Sequence, residues 1–478
     1  MKINTIKTYK LNNDDSIVVF TSKEQLKEAT KFLGSAVEKV LKQFNFEAKE
    51  KEIVEIKGIF GKKLVVVGLG ADKDLTTHLA LSTGGIGATY FSKEIELNVF
   101  MYAKNTALIN DIILGINLKC YAFDKYINTP ANKTTYKIKT INVVNHKVDE
   151  KEVKALTDSI NNAKNFINEP ANIIYPESIV NQIKELTKIG LKVTVLNKKQ
   201  LQQKGFHSLL AVSDGSDKDP YVVIMEYNNN KDQKKPLAFV GKGVTFDSGG
   251  YSLKPAGGMM DMKKDMSGAA AVVGLMQLLA STNTKVNAVG VVGFVENLVN
   301  GSAMKPGDVI NSLAGKTIEV LNTDAEGRLL LADLLWYTQA EFKPEFMINL
   351  ATLTGAIIVS LGAERAGLFA NNKSLVEKLM QAGEETGEYL WHMPLGKEYA
   401  THLKSSIADL QNISTAPRVA GSIFAGMFLQ EFVNNTPWAH LDIAGVADIT
   451  SSGDFNQKGA KGFGIRLLYN FIKKHYTK

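Results

Sequence analysis

Short apolar runs alternate with longer helical patterns through the second half of the chain. Apolar runs typical of buried strands predict strands at 192–196, 221–227, 237–240, 288–295 and 346–350. Helical patterns lie between them at 177–189, 266–279 and 328–339. Apolar strands that alternate with helices indicate an α/β layer fold with a largely parallel sheet. Ligands in such sheets bind beyond the carboxyl ends of the strands.

The first part of the chain mixes strand and helix patterns and carries fewer distinctive motifs. We expect strands at 1–6, 16–20 and 64–70 and a charged helix at 23–42. The 64–70 run ends in glycines, but it lacks the third glycine of a dinucleotide-binding fingerprint, so a strand and turn explain it equally well.

A polar, charged stretch at 142–164 is the best candidate for a linker or linking helix. With 478 residues the chain is too long for one ordinary core. We therefore expect a smaller N-terminal α/β domain at 1–160, including the linking helix. A larger α/β domain at 161–478 should hold the mostly parallel central sheet, covered by helices.

Composition excludes several classes of protein. With 45% hydrophobic and 22% charged residues, the chain is typical of a soluble globular protein. The single cysteine, Cys120, excludes an intramolecular disulfide and a cysteine-rich zinc site. We find no secretory signal and no apolar run of the ~20 residues that span a bilayer, so we expect a cytoplasmic protein without membrane contact. The net charge of +7 is spread over dispersed lysines, which leaves weak nucleic-acid binding open.

The segment 322–328, NTDAEGR, places three charges where a core segment should be apolar. It lies between an expected strand at 317–321 and an expected buried helix at 329–336. If it is extended, Asp324, Glu326 and Arg328 share one face, and so much buried charge indicates a site. The alternative is a helix that begins early, with Asp324 and Arg328 as an ordinary surface pair.

Two further segments bring charge to the ends of expected elements. Residues 240–254 follow a strand and place Lys242 between two glycines, with Asp247 before a Ser-Gly-Gly turn. A phosphate loop is an alternative, but the GxxxxGK[ST] spacing is missing and Asp247 would repel a phosphate. Asp265 precedes the apolar helix at 266–279 and, taken alone, is typical of a helix N-terminal acid.

Together these acids are best explained as a metal site. Four carboxylates, from Asp247, Asp265, Asp324 and Glu326, carry about four negative charges, which two divalent ions would balance. The chain has no HExxH motif and its seven histidines are scattered. Oxygen ligands favour Mn or Mg, and zinc stays open.

The segment 322–329, with GKG, FDSGG, Lys254 and MKKDM upstream, resembles the leucyl aminopeptidase (cytosol aminopeptidase) family of hexameric two-metal exopeptidases. The similarity in motif order and spacing runs from about residue 165 to the C-terminus and includes NLATLTGA at 349–356 and WAHLDIAG at 438–445. The N-terminal third contributes few motif residues to this resemblance. The resemblance implies a catalytic domain at 161–478, a homohexamer, and two divalent ions per subunit.

The resemblance also implies a role for each matching residue. The ligands of one metal would be Lys242, Asp247, Asp265 and Glu326, and those of the other Asp247, Asp324 and Glu326. A lysine ligand must be neutral, so the pKa of Lys242 would have to fall well below its ordinary value beside two cations. Lys254 would polarise the scissile carbonyl and Arg328 would hold a bicarbonate that moves the proton of the bridging water. The residues near the substrate would be Met262, Asn322, Thr354 and Gly355.

The function implied is a metal-dependent aminopeptidase that removes N-terminal, preferably apolar, leucine-like residues from peptides. A metal-bridged hydroxide would attack the first peptide bond. Another two-metal hydrolase, such as a phosphoesterase, is an alternative that the ligand set alone allows. A DNA-binding role is a third hypothesis, for which the net charge is permissive and which predicts salt-dependent binding that survives loss of metal.

Overall fold

A computed structural model describes residues 1–12, 14–59, 62–133, 136–416 and 419–477. The chain forms two compact units, one of residues 1–161 with 449–458 and one of residues 162–448 with 459–478. Within the described ranges, no helix has both the length and the apolar character needed to cross a membrane.

The first unit is built on one six-stranded sheet. Its strands are β1 (Lys2–Ile6), β2 (Ser16–Thr21), β3 (Ile53–Ile56), β4 (Lys63–Gly68), β5 (Glu96–Tyr102) and β6 (Thr140–Val144). Its helices are α1 (Leu26–Leu33), α2 (Ser35–Gln43), α3 (Thr77–Thr89), α4 (Ile109–Lys119) and the larger part of α5 (Glu150–Asn168). The strand order is β1-β6-β5-β2-β4-β3, and all pairs except β3 with β4 are parallel.

The single helix expected at 23–42 is wrong, because two helices occupy this stretch. Gly34 separates α1 from α2 with φ +87°, a conformation that glycine adopts without the steric cost of a Cβ. The polar stretch that we expected as a linker begins within β6 and continues into the long helix α5.

The second unit contains the larger sheet. Its strands are β7 (Lys192–Leu196), β8 (Tyr221–Asn228), β9 (Leu237–Asp247), β10 (Asn287–Asn297), β11 (Val309–Asn311), β12 (Thr317–Glu319), β13 (Phe346–Ala351), β14 (Ala366–Ala370), β15 (Leu390–His392), β16 (Leu410–Gln411), β17 (Trp438–Asp442), β18 (Asp448–Ile449, divided between the units) and β19 (Gly459–Ala460). Its helices are α6 (Pro176–Lys184), α7 (Lys198–Lys204), α8 (His207–Ser213), α9 (Ala256–Met259), α10 (Ser267–Thr282), α11 (Gly327–Phe342), α12 (Gly355–Leu361), α13 (Lys373–Thr386), α14 (Lys397–Ala400), α15 (Gly421–Gln430) and α16 (Ile465–His475).

The eight-stranded sheet of this unit has the order β15-β14-β17-β13-β9-β10-β8-β7. Its four central strands, β17, β13, β9 and β10, run parallel, and antiparallel pairs lie outside them. Strands β11, β12 and β16 form a separate three-stranded sheet. The predicted α/β fold, with a mostly parallel sheet covered by helices, is confirmed.

Strand β9 lies at the centre of this sheet with a helix on each face. A Cβ at Gly241 would lie 2.6 Å from the Cα of Ala269, so α10 approaches the strand too closely for a side chain there. Val240 and Val244, on the opposite face, belong to the apolar cluster that contains the buried side of α11. The carboxyl end of β9 therefore emerges between the starts of two buried helices, where ligands bind in such folds.

The segment 322–328 is not extended, so the alternation that we expected there is wrong. Strand β12 ends at Glu319, a turn occupies residues 323–324, and Glu326 is already helical at φ −76° and ψ −36°. The side chain of Asn322 accepts a hydrogen bond from the backbone N–H of Asp324 at 2.8 Å, an arrangement that favours a turn over a strand. The alternative surface pair is also absent from this described segment, because Arg328 is buried.

Candidate active site

Lys242 lies buried in the interior of β9, between two glycines. A Cβ at the next residue, Gly243, would lie 2.4 Å from the carbonyl oxygen of Gly293 on β10. The Lys242 side chain is only 3% exposed. An ammonium group so far from water requires anionic partners.

The partners of Lys242 come from the starts of the two buried helices. Its Nζ lies 2.9 Å from Oδ1 and 2.8 Å from Oδ2 of Asp265, just before α10. The same Nζ lies 2.8 Å from Oε1 of Glu326, just before α11. The predicted cluster around Lys242 is thus brought together from three distant parts of the chain.

A second ammonium group lies at the carboxyl end of β9. Nζ of Lys254 is 2.8 Å from Oδ2 of Asp247, the last residue of the strand, and also contacts Oδ1 of Asp324. Gly249, with φ +88°, turns the chain between them. A Cβ on Gly249 would lie 2.5 Å from the carbonyl oxygen of Ser252 and 2.9 Å from Oδ1 of Asp324, so only glycine fits this turn.

These four carboxylates and two ammonium groups fit a site for divalent cations. Asp247, Asp265 and Glu326 offer oxygens within 4.8 Å of one another, and all three residues are buried. Asp324 lies outside this group and joins it through Lys254. Three buried oxygens, Oδ2 of Asp265, Oδ1 of Asp324 and Oε1 of Glu326, have only ammonium groups as partners within the described structure. Such oxygens are the ligands that hard divalent cations prefer.

The protonation of the cluster is strongly perturbed by burial. Burial raises the pKa of Asp265, Glu326 and Asp324 above their ordinary values, and the charge of Asp247 adds to this rise in each case. Burial opposes the charge of Lys242, but the carboxylates around it outweigh this and raise its pKa. Among protein groups alone, Lys242 is therefore a charged counter-ion. The neutral state of a metal ligand would require cations nearby to reverse that balance.

Gly327 explains how Lys242 fits against α11. A Cβ at this position would lie 2.6 Å from Cε and 2.7 Å from Nζ of Lys242. The small residue between Glu326 and Arg328 therefore makes space for the ammonium group.

Arg328 is buried in the first turn of α11. Burial lowers its pKa to about 10, against the opposing charges of Glu326 and Asp442. One terminal N–H donates to the backbone oxygen of Asn412 at 2.7 Å, whereas its buried Nε has no hydrogen-bond partner among the described residues. The guanidinium group thus keeps donor capacity for an anion.

The four predicted substrate residues lie on three separate segments. Met262 is half-buried in a short 3₁₀ helix, Met260–Lys264, which ends at Asp265. Asn322 is half-buried in the turn before Asp324. Gly355 is exposed at the start of α12.

Thr354 is engaged inside the protein. Its hydroxyl donates to Oδ2 of Asp442 at 2.7 Å and accepts from the backbone N–H of Ile357 at 3.1 Å, which caps α12. Its side chain therefore fixes the loop, and a substrate contact would fall to its backbone.

A cavity of about 480 Å³ opens beside Arg328. Its lining is mostly apolar and comprises Arg328, Ala356, Val359, Ser360, Met393, Ile413, Ser414, Ala416, Val419, Ala420, Gly421, Ser422, Ile423 and Phe424. The four predicted substrate residues are not among these described lining residues, although Ala356 follows Gly355.

Sequence reasoning missed three residues that hold the charged groups in place. Thr352 donates from Oγ1 to Oδ1 of Asp265 at 2.7 Å, and its backbone oxygen lies 3.0 Å from Nζ of Lys242. Asn412, which is fully buried, donates to the backbone oxygen of Asn322 at 2.6 Å.

The third missed residue, Asn297, donates to Oδ1 of Asp247 at 2.8 Å. All three are single polar residues at or just after the ends of strands. That position was the only signal for Asn297 and Asn412, whereas Thr352 lies within the NLATLTGA segment.

The chain is similar to known proteins over nearly its whole length. Residues 161–469 match the model of the cytosol aminopeptidase family, catalytic domain, and residues 17–129 match that of the family's N-terminal domain. A probable cytosol aminopeptidase from Chelativorans sp. (strain BNC1) is 45% identical over 452 residues, covering 92% of this chain and 91% of the relative.

Two solved structures share the fold over nearly the whole chain. The cytosol aminopeptidase from Coxiella burnetii is 28% identical with a TM-score of 0.85, covering 99% of both chains. The bottromycin maturation enzyme BotP in complex with Mn is also 28% identical with a TM-score of 0.85, covering 96% of this chain and 99% of that one. The chain therefore belongs to the cytosol aminopeptidase family and is a metal-dependent aminopeptidase.

Proposed function

We propose that this aminopeptidase removes apolar, leucine-like residues from the N-termini of peptides, using two divalent ions bound by the cluster around Lys242 and Lys254. The observation that carries the proposal is the pairing of four carboxylates with two ammonium groups, in which three buried carboxylate oxygens have only ammonium partners among the described residues. The catalytic work would fall to residues 161–478, with 1–160 as a separate N-terminal domain.

The ligand sets follow the resemblance. One ion would be held by Lys242, Asp247, Asp265 and Glu326, and the other by Asp247, Asp324 and Glu326. Bound ions of this kind supply Lewis acidity that activates water and polarises a carbonyl. Manganese or zinc would serve, and magnesium is an alternative, since the donors are mainly oxygen. The Mn complex of the related BotP is consistent with manganese.

The chain's own cations would complete the chemistry. Lys254 is 19% exposed, so it is the ammonium group that a substrate can reach, and it would stabilise the oxyanion formed at the scissile carbonyl. Arg328, whose Nε has no partner among the described residues, would hold an anion such as bicarbonate beside the site and so provide a proton acceptor. No carboxylate of the cluster would then need to be free for that role.

The substrate would lie along the open side of the cluster. We propose contacts from Met262, Asn322, Thr354 and Gly355, with Met262 in the pocket for the N-terminal side chain. Methionine is flexible and polarisable, so it suits varied apolar residues. A preference for apolar N-termini follows.

The test uses the purified full-length chain loaded with Mn²⁺. It should hydrolyse Leu-p-nitroanilide, prefer it over the Glu and Lys analogues, and lose activity with EDTA. Glu326→Gln should leave almost no activity, whereas Glu341→Gln, an exposed position on the same helix α11, should retain it. Full activity of the Glu326 variant would contradict the proposed role of this residue, and turnover of p-nitrophenyl phosphate without peptidase activity would favour a phosphoesterase.

We also propose that the chain acts in the cytoplasm as a homohexamer, which light scattering would test. The DNA-binding hypothesis stays a prediction. It would be supported by salt-dependent duplex binding that persists in EDTA.

A further inference from the structure

Asn297 is the last residue of β10 and lies directly opposite Asp247, the last residue of β9. The two strands are parallel and these residues are register partners. Side chains of register partners in neighbouring strands project from the same face of the sheet. The amide of Asn297 therefore meets the Asp247 carboxylate, and it is buried, with only 2% exposed.

The amide joins the two loops that carry the acids. Its Nδ2 donates to Oδ1 of Asp247 at 2.8 Å and to the backbone oxygen of Thr323 at 3.0 Å. Both partners can only accept, so the amino end of the amide must face them. The backbone oxygen of Asn297 accepts from the backbone N–H of Ser248 at 2.9 Å and from its hydroxyl at 2.8 Å. One residue thus binds the end of β9, the turn after it and the turn before Glu326.

These contacts make the two oxygens of Asp247 unequal. Oδ1 accepts from Asn297 and also from the backbone N–H of Gly249 at 2.9 Å. Oδ2 faces Nζ of Lys254 at 2.8 Å. The carboxylate therefore cannot rotate without losing two hydrogen bonds, and Oδ2 is the oxygen that faces the ammonium group of Lys254.

We propose that Asn297 is a positioning residue for the metal pair: it fixes which oxygen of Asp247 faces the cations and holds the turn that carries Asp324 at a set distance from it. This rests on the proposed two-metal function. Because Asp247 would be a ligand of both ions, loss of the amide should weaken metal binding as a whole. Partners that orient metal ligands typically contribute 10–100-fold to affinity.

Thr352 provides a comparison on the other side of the cluster. Its hydroxyl donates to Oδ1 of Asp265 at 2.7 Å, and Asp265 would bind only one of the two ions. Thr352→Val keeps the shape of the side chain and removes that donor. This substitution should therefore weaken the binding of one ion and leave the affinity for the other unchanged.

The experiment titrates EDTA-stripped full-length protein with Mn²⁺ by calorimetry and records melting temperatures with and without Mn²⁺. Asn297→Ala should lower the affinity for both Mn²⁺ ions, by roughly 10–100-fold for at least one of them. Its melting temperature should also rise less on adding Mn²⁺ than that of the wild type. Thr352→Val should lower the affinity for only one Mn²⁺ ion. Asn311 is an exposed asparagine that also ends a strand, so Asn311→Ala should bind Mn²⁺ as the wild type does.

A purely structural role for Asn297 would lower the melting temperature equally with and without Mn²⁺ and leave both affinities at the wild-type value; that result would overturn the proposal. Asn297→Ser, which keeps a donor in a smaller side chain, gives the same comparison if the alanine variant does not fold, with a smaller expected loss. A wild type that binds two Mn²⁺ without cleaving Leu-p-nitroanilide would overturn the proposed substrate but leave the Asn297 comparison intact. A wild type that binds no Mn²⁺ would overturn both.

Discussion

The charged cluster has two halves that follow the same pairing rule in different surroundings. In the half that we name the buried half, Lys242 pairs with Asp265 and Glu326, whose side chains are 9% and 2% exposed. In the open half, Lys254 is itself 19% exposed and pairs with Asp247, which is 3% exposed, and with Asp324, which is 32% exposed. Because the cost of an uncompensated charge rises with burial, breaking an ion pair should destabilise the protein more in the buried half. In the open half, Lys254 and Asp324 are accessible to a substrate.

The difference arises from the elements that carry the residues. Lys242 lies in the interior of a central strand, and its partners come from the starts of buried helices. Lys254 lies in a loop and Asp324 in a turn, both beyond the end of the sheet. Stability should therefore depend mainly on the buried half, and reactivity on the open half.

The largest expected effect on stability comes from removing the buried ammonium. Lys242→Met leaves Asp265 and Glu326 without their counter-charge, so the free energy of unfolding in EDTA should fall by about 3–5 kcal/mol. Lys254→Met should cause a smaller loss, because Asp324 stays partly hydrated and Asp247 keeps its hydrogen bonds from Asn297 and Gly249. Urea denaturation of both variants measures this difference, and equal losses would contradict the distinction between the halves.

The open half should dominate catalysis. Lys254→Met removes the ammonium that would stabilise the oxyanion, so kcat for Leu-p-nitroanilide should fall by roughly 10²–10³, or about 2.7–4 kcal/mol. Binding of both Mn²⁺ ions should persist. Lys285→Met, at an exposed surface lysine, is the control and should keep wild-type kcat. Unchanged kcat in the Lys254 variant would show that this ammonium has no catalytic role.

A smaller change can disturb the buried half alone. Gly327→Ala would place a Cβ 2.6 Å from Cε of Lys242, so the lysine must shift at a cost of about 1–3 kcal/mol. Gly301→Ala is the matched control, since nothing lies within 4 Å of a Cβ there. Urea denaturation in EDTA should separate the two variants, with calorimetry showing weaker binding of one Mn²⁺ ion only. If the two variants have the same stability and the same Mn²⁺ binding, the close approach of Gly327 to Lys242 determines neither property.

The buried half should also show a pH dependence. Burial, followed by the charge of Asp247, raises the pKa of Glu326 from 4.5 to about 8. Between these values the folded chain binds more protons than the unfolded chain, so the contribution of Glu326 to stability grows as pH falls from 8 to 4.5 and is lost as pH rises. The slope is at most ~1.4 kcal/mol per pH unit. The stability of the wild type relative to Glu326→Gln in EDTA should follow this trend; a flat or reversed difference would contradict it.

The sequence predicted the fold and the charged residues for the same physical reason. Buried strands and helices have apolar periodicity, and charges that interrupt it, such as Lys242 and Glu326, are conspicuous. The extended geometry that we expected at 322–328 is wrong, because the sequence alone does not distinguish an alternating strand from a turn followed by a helix start. Asn322, which turns the chain, and Gly327, which admits Lys242, decide between them through contacts that the sequence does not reveal.

The supporting residues were missed because their partners are far away in the chain. Asn297 and Asp247 are 50 residues apart, and Thr352 and Asp265 are 87 apart. A single polar residue at the end of a strand is common, and the role of Thr352 within NLATLTGA is not visible from the sequence. Its significance depends on which strands are neighbours and in what register, which only the three-dimensional structure gives.

The most direct test of the account is one titration of the EDTA-stripped chain with Mn²⁺, in which bound ions per chain and hydrolysis of Leu-p-nitroanilide are measured in the same samples. We predict two ions per chain, the first entering the buried half without activity and the second, in the open half, bringing activity with it. Full activity with one ion bound, or hydrolysis by the metal-free chain, would contradict the account.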